Sequence, residues 1–220
     1  MNQLLQFENI PINFHTLISL FPEYKSPKDK IVQLEENGSI VRLKKGVFVV
    51  TLNNQKKDIS KELIANHLNG PSYISLQTAL AYYNLIPERV TITRSMTTNR
   101  SKSYKTPFGL FEYITTTDEY YKIGITQEII QNKYAFIIAT PEKALCDTII
   151  TTAGLKIQSL KSMEQYIEQD LRLEIDSIKN WDLSIIEECI DLGKKKSELK
   201  FLHKYIVNQK VNYQRTQEQF

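Results

Sequence analysis

The stretch from Glu36 to Val50, ENGSIVRLKKGVFVV, constrains the fold more than any other because it carries a helix stop and a complete hairpin in one short span. Gly38 sits just past a helical run and ends it in the left-handed conformation that glycine adopts without a Cβ penalty. Ile40, Val41 and Leu43 then lead into a strand, Lys45 and Gly46 supply the turn, and Val47, Phe48, Val49 and Val50 return as a β-branched and aromatic strand. Between Gly38 and Lys57 there is no acidic residue. Arg42, Lys44, Lys45, Lys56 and Lys57 therefore give that window a charge of +5, a local excess suited to an anionic partner.

The residues upstream continue the pattern. Phe14, Leu17, Ile18 and Phe21 have the spacing of an amphipathic helix, with Asn13 as its N-cap and Pro22 as its stop. Ser26 and Pro27 start a second helix, with Ile31, Val32 and Leu34 expected inward and Lys25, Lys28, Lys30 and Gln33 outward. Helix, turn, helix and basic hairpin, in that order, is the arrangement of a winged helix-turn-helix. The second helix would enter the major groove of duplex DNA, and the hairpin would touch the backbone. The expected DNA-binding residues are Lys25, Lys28, Lys30 and Gln33 on the helix and Arg42, Lys44 and Lys45 on the wing. Met1 to Ile10 is a poor match for a third, supporting helix.

A net charge of only +3 over 220 residues means that nucleic-acid contact must come from clustered charge. A second cluster, Arg89, Arg94, Arg100, Lys102 and Lys105, also contains no acid, whereas Ser159 to Leu192 is acidic and Lys194 to Lys210 is basic again. The two cysteines, Cys146 and Cys189, form no CxxC pair and read as reduced core thiols. No run approaches the ~18 apolar residues of a membrane span, and the N-terminus lacks a basic, apolar leader. The expectation is a cytoplasmic chain with no membrane partner.

Thr51 to Ser60 reads as a linker. Beyond it, Ser60 caps a helix to Leu68, and Ser75 precedes a second with Leu76, Ala79, Leu80 and Tyr83 on one face. Short strands are expected at Val90–Arg94, Phe111–Thr115, Tyr121–Ile125 and Tyr134–Ala139, and Thr140 and Pro141 start another helix. The last third reads as helices at Ser162–Leu171, Leu183–Leu192 and Ser197–Asn208, with a frayed polar end. The fold class is therefore α+β: a small winged helix-turn-helix domain over residues 1–55, a larger mixed α/β domain with a helical C-terminal region over 60–208, and a polar tail over 209–220.

The blocks GPSYISLQTALAYYNLIPE, TPFGLFEY, YYKIGI and IATPEKALCD, preceded by RLKKGVFVV, resemble the AbiEi-type antitoxin family. The resemblance runs from about Phe14 to Ile150 and fades after Thr151. It implies a transcriptional autorepressor of a type IV toxin–antitoxin operon, part of abortive-infection phage defence. Such a protein binds promoter inverted repeats through its winged domain and opposes a nucleotidyltransferase-like toxin encoded alongside, without obligatory direct contact.

The chemistry of the remaining residues favours no catalytic site. His15, His67 and His203 have no metal-ligand spacing, and no glycine-rich phosphate loop occurs. Thr140, Pro141, Glu142 and Lys143 invite an acid–base role, yet they also describe a good helix start. Tyr73, Tyr82 and Tyr83 form an aromatic cluster that could stack a base or nucleotide, yet Tyr83 lies on the apolar stripe of its helix and reads as core. No cofactor, metal or catalytic residue is expected. The alternative is a metal-dependent nuclease or nucleotide-handling enzyme that a winged module delivers to DNA, with Glu142 and Asp147 as its first candidates; a third reading is a protein-binding scaffold.

Overall fold

The computed structural model describes residues 2–7, 10–51, 59–174 and 180–217, and the protein is α+β. Its N-terminal part comprises α1 (Asn2–Leu5), β1 (Pro11–Asn13), α2 (Phe14–Ser19), α3 (Pro27–Glu36), β2 (Ile40–Lys44) and β3 (Val47–Val50). Asn13 caps α2 by accepting from the Thr16 amide at 2.9 Å, as the sequence predicts. Gly38 has a φ of 73°, and the hairpin turns at Lys45 and Gly46. The strand β1 was not expected. It pairs antiparallel with β3, Ile12 opposite Phe48, and completes a three-stranded sheet of order β1-β3-β2.

Both faces of the hairpin are covered. Ile40, Phe48 and Val50 pack with Leu4, Ile12, Leu17, Ile31 and Leu34, while Leu43 and Val49 belong to the larger hydrophobic cluster of the rest of the chain. Two-sided burial explains the unbroken apolar run Val47–Val50, since a half-exposed strand would alternate. Val32, expected inward, is 50% exposed.

The larger part opens with α4 (Lys61–Leu68), capped by Ser60, whose hydroxyl accepts from the Leu63 amide. It continues with β4 (Ser72–Ile74), α5 (Leu76–Tyr82), β5 (Ile92–Thr97), β6 (Lys102–Thr106), β7 (Gly109–Thr115), α6 (Asp118–Tyr121), β8 (Ile125–Ile130) and β9 (Tyr134–Ala139). These strands form one mixed sheet of order β6-β7-β5-β4-β9-β8. The strand β6 is an edge, paired only with β7, and β5 and β7 run parallel. The strand expected at Tyr121–Ile125 is instead the end of α6, a turn and the first residue of β8. Thr117 starts that helix by accepting from the Tyr120 amide, a local cap that overrides the β propensity of Tyr121 and Ile123.

Helix α7 (Pro141–Thr151) lies against α5 and α9. Its cap, Thr140, accepts from the Lys143 amide. Next come α8 (Leu160–Gln165), a π-helical turn (Tyr166–Asp170), α9 (Leu183–Leu192) and α10 (Lys196–Gln217). The helix α10 runs on to Gln217, so residues 209–217 of the expected polar tail are helical. Lysines of the C-terminal basic run have structural partners: Lys195 donates to the Ile149 and Thr152 carbonyls at the end of α7, and Lys196 to the Asp191 carbonyl at the end of α9. Cations at helix C-termini oppose the negative pole of the dipole. Most of the proposed linker, residues 52–58, falls outside the described residues.

Candidate nucleic-acid interface

Helix α3 is held from below by Ile31 and Leu34, which leaves its other face to solvent. On that face Tyr24, Lys25, Lys30 and Gln33 border a shallow depression of about 510 Å³, together with Ser26, Val32 and two acids, Asp29 and Glu36. Lys28 is exposed one turn before Val32. Lys30 Nζ donates to Gln33 Oε1 at 2.9 Å and stands 5.1 Å from the Tyr24 ring centroid. Ser26 makes no side-chain cap hydrogen bond; the Asp29 and Lys30 amides bond instead to the Ser26 carbonyl, at 3.2 and 3.3 Å. Lysines at this end sit against the positive pole of the helix, a conflict that Asp29 in the first turn offsets in part and an external anion would relieve further.

The two cations of the hairpin strand β2, Arg42 and Lys44, are engaged differently from the sequence expectation. Arg42 makes a two-pronged contact with Glu35, Nε to Oε1 at 2.9 Å and Nη2 to Oε2 at 2.6 Å, and its guanidinium lies 4.7 Å from the Phe48 ring centroid. The hydrogen bonds from Arg42 hold the Glu35 carboxyl below its ordinary pKa. Lys44 points away from α3: its Nζ donates to the Leu68 carbonyl at the end of α4 and lies 5.4 Å from the Tyr104 ring centroid. Lys45, at the turn, is exposed. The structure thus brings Lys25, Lys30 and Gln33 together, with Lys28 nearby on the same helix, and gives Arg42 and Lys44 internal partners. Sequence reasoning missed Tyr24 and Val32, 48% and 50% exposed. The i, i+4 spacing of Val32 from Lys28 is the signal that places it on the outer face.

The other concentration of polar chemistry is buried at α7. Lys143 and Asp147 are both 0% exposed and lie 3.4 Å apart, Nζ to Oδ1, in an alignment that makes no hydrogen bond. Lys143 donates to the Tyr120 carbonyl at 2.9 Å and stands 3.0 Å from the Tyr120 ring centroid. Asp147 Oδ2 accepts from Tyr73 at 3.0 Å and from Ser75 at 2.6 Å. Ser75 spends its hydroxyl there rather than capping α5, and the helix begins at Leu76 with a strained φ of 55°. Burial, and then the Asp147 charge, pushes the Tyr73 hydroxyl well above its ordinary pKa. Glu142, also buried, accepts from the Asp182 amide at 2.9 Å and so joins α7 to the start of α9. Cys146 and Cys189 are both buried and free. Of the aromatic trio, Tyr73 is core, while Tyr82 and Tyr83 are half-buried.

Among the described residues no three His, Cys, Asp or Glu side chains converge as metal ligands would, and no helix is long and apolar enough to cross a membrane. No protein-family model matches the chain, and no curated protein matches it significantly.

Proposed function

We propose that the protein is a DNA-binding transcriptional autorepressor and antitoxin of a type IV toxin–antitoxin operon, acting in the cytoplasm and without a catalytic site of its own. In this reading residues 1–55 work as a winged helix-turn-helix, with α3 as the reading helix and β2–β3 as the wing. The observation that carries it is the outer face of α3, where Lys25, Lys28, Lys30 and Gln33 stand exposed or half-exposed above a helix fixed by its buried side. Lys28 and Lys30 would contact phosphates or base edges, Gln33 is suited to an adenine edge, and Lys45 would reach the backbone. Arg42 and Lys44 act mainly as braces for the wing. The antitoxin half, with a nucleotidyltransferase-like toxin as functional partner, rests on the sequence blocks between Tyr73 and Asp147.

The test is fluorescence anisotropy with a duplex taken from the DNA upstream of the chain's own reading frame, titrated at several salt concentrations. Each lost phosphate contact flattens the slope of log affinity against log salt by about 0.9. Lys28→Ala with Lys30→Ala is expected to flatten it by about 1.8 if both touch phosphate. An unchanged slope and affinity would overturn the reading.

A further inference from the structure

Three lysines follow α9 in a row, Lys194, Lys195 and Lys196, and the fold treats them unequally. Lys195 and Lys196 spend their ammonium groups on carbonyls at the ends of α7 and α9. Lys194 is exposed and makes no hydrogen bond or ion pair among the described residues. It lines a cavity of about 420 Å³ that no other part of the functional reading uses. The cavity lies beyond the C-terminal ends of the parallel strands β5 and β7, at Met96 and Ile114, and is bounded by α6 and by the ends of α7 and α9. The carboxyl ends of parallel strands are where open sheets hold their ligands, and the volume falls in the range of roughly 300–1,000 Å³ that small-molecule sites occupy.

The wall is mainly apolar, with Met96, Ile114, Ile150 and Leu192 in it, and Leu192 is 51% exposed. The threonine hydroxyls around it are largely engaged elsewhere. Thr115 donates to the Asn99 carbonyl and Thr151 to the Asp147 carbonyl, both at 2.7 Å, and Thr117 accepts from the Tyr120 amide. Thr116 makes no side-chain hydrogen bond among the described residues. The groups left for a ligand, the Lys194 ammonium and the Thr116 hydroxyl, can both donate. Tyr120 forms an inner wall and is 1% exposed. Its ring is held between Lys143, with Nζ 3.0 Å from the centroid, and Gly193, where an added Cβ would come within 2.8 Å of Tyr120 Cε2. That wall is fixed before any ligand arrives, which lowers the ordering cost of binding. A water-filled crevice would explain the opening, but water satisfies the free cation and not the apolar wall beside it.

We infer that this cavity is a binding site for a small organic monoanion with an apolar aromatic body, whose acid group pairs with Lys194 and whose body lies against Met96, Ile114, Ile150 and Leu192. The inference is independent of the reading of α3. A ligand seated there touches the ends of β5 and β7 together with α7 and α9, so that occupancy ties the helical C-terminal region to the sheet and stabilises the folded chain by mass action.

The experiment titrates the full chain with two fluorescent probes, anilinonaphthalene sulfonate and its neutral counterpart phenylnaphthylamine, and follows thermal melts by circular dichroism. The sulfonate is expected to bind the parent at a single saturable site and to raise its melting temperature. Lys194→Ala weakens the sulfonate by about tenfold, the loss of one charge-assisted contact, and leaves the neutral probe unchanged, while Lys194→Arg keeps both. Thr116→Phe, which fills the cavity, weakens both probes and removes the thermal shift; melts without probe check that each variant folds as the parent does. A parent that binds neither probe, or a folded Lys194→Ala protein with the parent's affinity for the sulfonate, would overturn the inference. So would a sulfonate site at α3, seen as binding lost in Lys28→Ala with Lys30→Ala and kept in Lys194→Ala.

Discussion

Replacing Lys143 by methionine tests the packing argument for the larger part of the protein. The substitution preserves much of the apolar stem but removes the charge facing Asp147 at 3.4 Å and the donor to the Tyr120 carbonyl. Removing one partner of a buried ion pair generally costs about 3–5 kcal/mol, because the other charge is left uncompensated. Asp147 keeps its hydrogen bonds from Tyr73 and Ser75, which argues for the lower end, while the orphaned carbonyl adds about 1 kcal/mol. The expected loss is about 4 kcal/mol, a fall in melting temperature of about 8–16 °C for a chain of this size. Trp181, the single tryptophan, is 4% exposed beside the Asp182–Glu142 contact and reports the transition by fluorescence. Adding Asp147→Asn removes the stranded charge while leaving an acceptor for both hydroxyls, so the double variant recovers about half the loss. A Lys143→Met protein within about 1 kcal/mol of the parent, or a double variant whose losses simply add, would refute the reasoning.

Lys44→Ala is expected to lower the melting temperature, because it removes the tether to the Leu68 carbonyl, whereas Lys45→Ala, at an exposed turn position, leaves it unchanged within error; thermal melts of the two distinguish the tethered cation from the exposed one. Glu35→Gln weakens the Arg42 contact and alters acid stability. The folded-state pKa of Glu35 lies below its ordinary 4.5, so its contribution is present above that value and is lost as pH falls through the lowered one. Urea midpoints measured from neutral pH down through that range should therefore decline less steeply in the variant than in the parent.

The local signals in the sequence carried most of the helix starts. Asn13, Ser60 and Thr140 cap helices through contacts three residues away, and those contacts are visible in any short window. The hairpin was legible for the same reason, with its glycines at positive φ. The strands β1, β4 and β6 were not, because three to five residues carry too little period, and β8 was met only at its first residue, Ile125, because the strand expected there was placed over the end of α6. The candidate site followed the same rule. Helical spacing placed the α3 cations outward, but the partners of Lys44, at Leu68 and Tyr104, come from other elements. The i, i+4 spacing of Lys143 and Asp147 was available in the sequence, yet their complete burial depends on α5, α6 and α9 closing over α7.

The central claim is that the outer face of α3 meets duplex DNA, and Val32 reports on it directly because it is exposed there without a polar role. A photocrosslinking side chain introduced at position 32 should attach to the bound upstream duplex, while the same group at Ile129, exposed on β8, should not. A protein that binds the duplex yet crosslinks from position 129 and not from 32 would contradict the account.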